Sequence, residues 1–244
     1  MPLFEPCVFF EARVATLVSE SPTGALGRQW QVVVGGHRIE VLGPPDEDEL
    51  LDDPAVQARF ESDEYLPYWG QLWPAAVMLA EYILADEPGD SRPALEVGCG
   101  LGLSAIAAKM AGWDILATDY DEDALRYTRI NAQRNGFANL PVRLVDWRNP
   151  IGLSRYARIF ASDVLYEARN RQPLANFISA FLAEEGVAII ADPNREAAMG
   201  FEATLSQAGL ICRTSPTHAN QPYGRYVKGT IYAIRRRVAR SSRL

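Results

Sequence analysis

The chain is poor in the residues that build metal centres and disulfide frameworks. Its three cysteines, Cys7, Cys99 and Cys212, lie far apart and form no C-x-x-C pair, which excludes a disulfide scaffold and argues against a zinc site. Two lone histidines, His37 and His218, make neither a metal cluster nor a catalytic triad. No apolar run reaches the roughly eighteen residues of a membrane span, and no basic-then-apolar layout opens the chain. The expectation is a cytoplasmic protein in a reducing compartment, with no metal and no membrane partner. Internal repeats and low-complexity tracts are absent. The acidic run Asp46-Glu47-Asp48-Glu49, continued by Asp52-Asp53, lacks the glycine and spacing of a calcium loop and reads as a solvated segment.

What is present is a globular composition. A chain of 244 residues with 48% hydrophobic side chains buries one large core, or one core and a small appendage. The net charge of −7 hides an asymmetry: the stretch 225–244 holds six arginines and one lysine with no acid, leaving 17 basic against 31 acidic residues elsewhere. An acidic body of −14 aids solubility, does not favour nucleic acid, and suits a basic partner such as a lysine-bearing protein. The arginine-rich end reads as a solvated terminus rather than as a contact for RNA or membrane.

Residues 31–34 and 37–42 flank Gly35-Gly36, a hairpin signal. Pro74 suits the first turn of a helix whose apolar face is Val77, Ala80, Ile83 and Leu84. Beyond Pro93 strand-like runs (94–97, 115–118, 142–145, 159–164, 187–191) alternate with helical ones (101–111, 122–135, 174–182, 196–208). This alternation predicts a parallel α/β sheet with helices on both faces. Two last strands, 210–214 and 229–234, lack an intervening helix and are free to pair antiparallel. The expected organisation is an N-terminal hairpin extension with an acidic linker (1–64), an α/β domain (65–236) and a basic tail (237–244).

The most informative run is Leu95-Glu96-Val97-Gly98-Cys99-Gly100-Leu101-Gly102-Leu103. Alternating glycines after a strand let the chain turn sharply and let a ligand lie against the backbone. A dinucleotide fingerprint would place its third glycine at position 103. Here it comes one residue early, at Gly102, with an acid two residues before the first glycine, at Glu96. This form resembles motif I of class I S-adenosylmethionine (SAM) methyltransferases. That resemblance implies a Rossmann-like seven-stranded, mostly parallel sheet with the seventh strand antiparallel.

Open α/β sheets bind ligands at the carboxyl ends of their strands, and four strands end in polar residues. Glu96 is placed to accept from the amine of SAM, directly or through water, while loop amides meet its carboxylate. Asp119 lies 17 residues past Gly102, near the interval at which an acid holds ribose hydroxyls; Asp121 reads as the cap of the next helix. Asp146 and Trp147 end the third strand, a carboxylate for the adenine amine and an indole for its face. The fourth ends in Ala161-Ser162-Asp163-Val164-Leu165-Tyr166.

Asp163-x-x-Tyr166 resembles the [DE]-x-x-Y motif of the family 16 methyltransferases, the seven-β-strand protein-lysine methyltransferases. The segment 65–76, containing Trp69 and Trp73-Pro74, is similar to that family's aromatic Trp-Pro segment. Residues 189–195 resemble the Gly-Asp-Pro-Gly-Arg stretch of the branch that methylates the electron-transfer flavoprotein β subunit, with Asn194 in place of a glycine. The resemblance covers roughly 65–195. It implies that Trp73, Gly98, Gly100, Asp119, Trp147 and the backbone near Ala161 contact SAM. Asp163 and Tyr166 would face the methyl group and the acceptor amine, with Trp69 lining the same mouth. Asp192 and Arg195 either shape the substrate side or simply form a strand-end turn. Tyr223 to Tyr226 form a substrate lip or pack beneath the final strand.

The implied activity is methyl transfer to an amine nitrogen, foremost a protein lysine. The methyl of SAM is already electrophilic, so the protein's task is alignment, with Asp163 recruiting and orienting the amine. Two other readings stay open on the same scaffold: a small-molecule N-methyltransferase, and a SAM-binding protein without catalysis. The glycine spacing disfavours a nicotinamide-dependent oxidoreductase.

Overall fold

The computed structural model describes residues 17–22, 27–45, 50, 54–63, 66–220 and 226–237. Cys7, the acidic run 46–49 and 51–53, Tyr65, Tyr223 and the tail 238–244 lie outside them.

Seven strands form one sheet: β4 (Pro93–Val97), β5 (Asp114–Asp119), β6 (Val142–Leu144), β7 (Tyr156–Ser162), β8 (Leu182–Asp192), β9 (Leu210–Asn220) and β10 (Tyr226–Arg236). Their order is β6-β5-β4-β7-β8-β10-β9. The pairs β4–β5, β4–β7, β5–β6 and β7–β8 are parallel, and β10 inserts antiparallel between β8 and β9. The expected sheet with an antiparallel seventh strand is therefore observed. Its order reverses between β4 and β7, and that switch point opens a crevice at their carboxyl ends.

Period-two alternation sorts the central strands into two cores. Ala94, Phe160, Val187, Ile189 and Ala191 face one side; Leu95, Val97, Ile159, Ala161, Ala188 and Ile190 face the other. The first side is covered by α2 (Pro74–Ala85), α3 (Leu103–Met110) and α4 (Glu122–Arg134), the second by α5 (Arg171–Phe181) and α6 (Phe201–Gln207). Each large apolar side chain fully withdrawn from water contributes about 1.5–3 kcal/mol, and Leu79, Ile106, Ile115 and Phe177 are of this kind. α2 is apolar around most of its circumference because it touches β2 (Arg28–Val34), β7, β8, β9 and β10 as well as α3.

Helix boundaries follow local chemistry. Asp121 Oδ1 caps α4, accepting from Asp123 N at 2.8 Å and Ala124 N at 3.4 Å. α3 starts at Leu103 rather than 101 because Gly102 is left-handed, with φ 84°. The helix expected over 196–208 is split: a 3-10 turn at Glu196–Ala198 gives way to left-handed Gly200, and α6 begins only at Phe201.

The N-terminal hairpin is present as β2 (Arg28–Val34) and β3 (His37–Gly43), and β1 (Leu17–Pro22) adds a third antiparallel strand that the sequence pattern does not disclose. A short helix, α1 (Pro54–Asp63), follows. Trp30, Val32, Val34, Ile39 and Val41 join the same apolar cluster as α2 and α3. The edge of β3 is tied to α4 by two amides. Asn131 Oδ1 accepts from Leu42 N at 2.7 Å and its Nδ2 donates to Leu42 O at 2.9 Å. Asn135 repeats the pattern at Glu40, with distances of 3.0 and 2.7 Å. Residues i and i+2 of a strand expose their amides on the same edge, and i and i+4 of a helix share a face, so the two ladders match.

Candidate functional site

One groove at the switch point collects nine of the sequence-nominated residues: Trp69, Trp73, Gly98, Gly100, Gly102, Asp119, Trp147, Asp163 and Tyr166. Its floor is the loop after β4. Gly98, Gly100 and Gly102 all have positive φ, at 67°, 51° and 84°. Gly102 is the most constrained, since a Cβ there would meet the Thr128 side chain at 2.9 Å. The loop is held from α4: Thr128 Oγ1 donates to Gly100 O and Asn131 Nδ2 to Leu101 O, both at 2.9 Å.

Asp119 ends β5 beside this loop and is only 5% exposed. Its two oxygens accept from Gly100 N at 2.9 Å and Asp121 N at 3.1 Å, and the Tyr120 amide acts on the same carboxylate. Burial pushes its carboxyl up to about 6, against the lowering effect of those amides. Tyr120 follows it into the groove wall. This residue was not nominated, although its place directly after a strand-end acid marked it. Leu72, Ser162 and Tyr68 are further lining residues that sequence reasoning passed over.

Glu96 is placed differently from the expectation that it opens onto the crevice. It is 1% exposed, lies outside the groove lining, and is hydrogen-bonded to Ser104. Burial raises its carboxyl well above the usual range, and its Oε2 has no hydrogen-bond partner. Asp146 also stays out of the lining: it accepts from Arg148 N and Nε, both at 2.9 Å. The Arg148 guanidinium in turn lies 5.3 Å over the Tyr120 ring. Ala161 is fully buried in the second core, and its neighbour Ser162 reaches the groove. Trp147 does both, joining that core while lining the groove.

The mouth is aromatic. Trp73 Nε1 donates to Tyr68 O at 2.7 Å, and the Tyr68 ring meets Trp73 and Tyr166 edge-on at 6.1 and 5.3 Å. Trp69 leans on Tyr127 at 5.4 Å. Burial pushes the Tyr166 phenol up to about 12, so it stays protonated at neutral pH.

Asp163 sits at the junction of groove and mouth with a left-handed backbone, φ 56°, a conformation that aspartate tolerates better than most residues. Its N–H continues the sheet ladder to Ala191 O at 2.9 Å. Its carboxylate is gripped by both arms of Arg195: Nη2 to Oδ2 at 2.9 Å, and Nε to Oδ1. Arg195 also lies 5.3 Å over the Trp73 ring. Asp192, fully buried, accepts from Arg195 N at 2.8 Å through Oδ1, while Oδ2 has no partner; burial lifts it to about 6. The turn between them passes through Asn194 at φ 61°. Glycine and asparagine share that conformation, which explains why asparagine stands where the similar stretch has glycine.

The residues present fit SAM. A glycine-floored loop, a strand-end acid and aromatic rings beside it could hold an adenosyl group, and a buried acid with an unpartnered oxygen lies below the loop.

Comparison with known proteins agrees. The fold is that of the class I SAM-dependent methyltransferases. A TehB-like SAM-dependent methyltransferase from Corynebacterium glutamicum superposes at TM-score 0.52 and 18% identity over 75% of this chain and all of that one. Magnesium protoporphyrin IX methyltransferase from Synechocystis, with SAM bound, does so at 0.50 and 19%, over 64% and 76%. Within this class the chain belongs to the lysine methyltransferase family, whose profile matches residues 56–203. The electron transfer flavoprotein β subunit lysine methyltransferase of Danio rerio is 34% identical over 53% of this chain and 51% of its own length. The Mus musculus enzyme is 30% identical over 64% and 62%. The chain thus matches about half the length of these relatives. Among the described residues, no helix is long and apolar enough to cross a membrane.

Proposed function

We propose that this protein is a SAM-dependent methyltransferase acting on the side-chain amine of a lysine in a protein partner. One observation carries the reading: the glycine-floored groove runs directly into an aromatic mouth, with Asp163 and Tyr166 at the junction. Family membership and the relatives' names support it.

The groove residues divide by task. Asp119 would accept from the ribose hydroxyls, Tyr120 and Trp147 would flank the adenine, and amides of the glycine loop and the start of α3 would meet the carboxylate of the methionine part. SAM supplies a methyl group made electrophilic by its sulfonium. Tyr68, Trp73 and Tyr166 exclude water from the entering chain and fit the four-methylene stem of lysine. The Tyr166 hydroxyl, neutral at working pH, accepts from an N–H of the amine through its oxygen and so leaves the nitrogen lone pair free to face the methyl group. No covalent nucleophile is needed; holding the amine in line is a proximity effect. The proton leaves to water at the mouth.

The test is incubation of the full chain with methyl-tritiated SAM and a clarified lysate, with electron transfer flavoprotein β subunit as a second sample. Alkali-stable label in a protein, recovered as methyl-lysine on hydrolysis, is the expected result. Label only in small molecules, or none, refutes the reading.

A further inference from the structure

Resting on that reading, we propose that Arg195 is a positioning residue that neutralises Asp163, so that the transfer mouth favours the free amine of the lysine over its ammonium form. A free carboxylate at the mouth would do the opposite. Lysine must lose a proton from a nitrogen whose ordinary pKa is about 10.4, and an anion within reach stabilises the charged form, raising that value by about one to three units. The sequence nominated Asp163 as an ion-pair recruiter. The structure shows its carboxylate already engaged, bidentate, with a guanidinium. Arginine suits this task because it stays charged at any working pH and its fork matches both carboxylate oxygens.

The pair is held from several sides. The Arg195 backbone N–H is fixed on Asp192 Oδ1 at 2.8 Å. The left-handed turn before it is pinned by Thr230 Oγ1 donating to Asn194 Oδ1 at 2.7 Å. The guanidinium rests over Trp73, itself a wall of the groove. Asp163 is 7% exposed, so its carboxylate is largely withdrawn from bulk water while still lining the groove. The charged and titratable groups facing this pair are Asp163, Asp192 and Tyr68 about Arg195. Tyr166 stands on the Asp163 loop, with Glu167, Asp119 and Arg148 acting on it. With the Asp163 charge offset by Arg195, what remains beside the amine is a ring-lined wall that excludes water, and desolvation there disfavours an ammonium.

The test reads the pH profile. Initial rates of tritium transfer from SAM into lysate proteins are measured between pH 6.5 and 10 for the wild type, Arg195→Gln, Arg195→Lys, Asp163→Asn and the double variant Arg195→Gln/Asp163→Asn. Arg195→Gln bares the carboxylate, so the rising limb of maximal rate should move alkaline by about one unit or more. Its rate at pH 7.5 should drop at least tenfold without a rise in apparent KM for lysate protein. Arg195→Lys keeps the charge and should keep the wild-type limb. Asp163→Asn should move the limb toward acid, and the double variant should undo the alkaline shift. An Arg195→Gln enzyme slowed equally at every pH, with its limb in place, refutes the inference. So does an Arg195→Lys limb displaced as far as that of Arg195→Gln. If Arg195→Gln does not fold, Asp163→Asn decides alone: an unmoved limb overturns the inference. A wild-type protein that labels no protein removes the function proposed above, and this inference with it, and is recognised before any variant is compared.

Discussion

Asp119 offers the sharpest single test of the cofactor site. Its carboxyl is lifted from 3.8 to about 6 because the end of β5 and the glycine loop bury it, and the amides of Gly100, Asp121 and Tyr120 only partly offset that burial. A raised carboxyl is protonated more readily folded than unfolded. Between about pH 4 and 6 the unfolded chain therefore ionises first, and this group subtracts stability as pH rises, by up to about 3 kcal/mol at 1.36 kcal/mol per unit. Ligand binding runs the other way, since ribose hydroxyls donate best to the ionised form. At pH 5 roughly one molecule in ten carries the charge before ligand arrives, so SAM affinity should fall about tenfold from pH 7 to pH 5 and stay level above pH 7. Asp119→Asn keeps acceptor and shape but loses the charge. Charge-assisted bonds contribute about 1.5–3 kcal/mol, so this variant should bind SAM roughly 10- to 100-fold more weakly at pH 7.5 and without the acid slope. Calorimetric titration with SAM at pH 5, 6, 7 and 8 checks both. Asp192 also titrates near 6, so Asp192→Asn is the control and should retain the slope. A flat wild-type profile, or an Asp119→Asn profile that still bends, would falsify the assignment of Asp119 to the ribose.

Three other substitutions probe the frame of the site. Gly102→Ala forces a Cβ into a left-handed residue 2.9 Å from the Thr128 side chain; strain and overpacking together should cost about 3 kcal/mol, or roughly 6–12 °C in Tm for a chain of this size, and an unchanged Tm would contradict the packing described. Asn131→Ala strips partners from Leu42 N–H, Leu42 O and Leu101 O and should cost about 3 kcal/mol in urea unfolding. SAM affinity should fall with it, because the Leu101 carbonyl belongs to the cofactor loop; intact affinity would mean the loop holds its shape unaided. Tyr166→Phe keeps the ring contact with Tyr68 and removes the hydroxyl. SAM affinity should survive while methyl transfer slows at least tenfold, and unaltered transfer would remove the phenol from the mechanism.

Much of the site was legible because its signals are local. The glycine spacing, the acid at the end of β5, the Asp121 cap and the Asp163-x-x-Tyr166 loop are each written within a few residues. The strand that precedes each fixes which end of the sheet it reaches. The depth of Glu96 is not legible from its place at a strand end; Ser104, the second residue of α3, hydrogen-bonds it below the loop. Asp146 was nominated for adenine, yet the arginine two residues on takes its carboxylate. Asn131 and Asn135 read as polar helix residues, and only the approach of β3, whose paired residues lie 89 and 95 positions away, turns them into a seam.

Alternation of apolar periods dictated the α/β sheet, and the early third glycine dictated the kind of groove, since backbone turns and side-chain faces depend on neighbours in the chain. The pairing of Asp163 with Arg195 at the mouth was decided by tertiary structure alone. Asp163 and Arg195 stand 32 residues apart on adjacent strand ends, and a carboxylate's electrostatic role depends on which cation the fold brings against it.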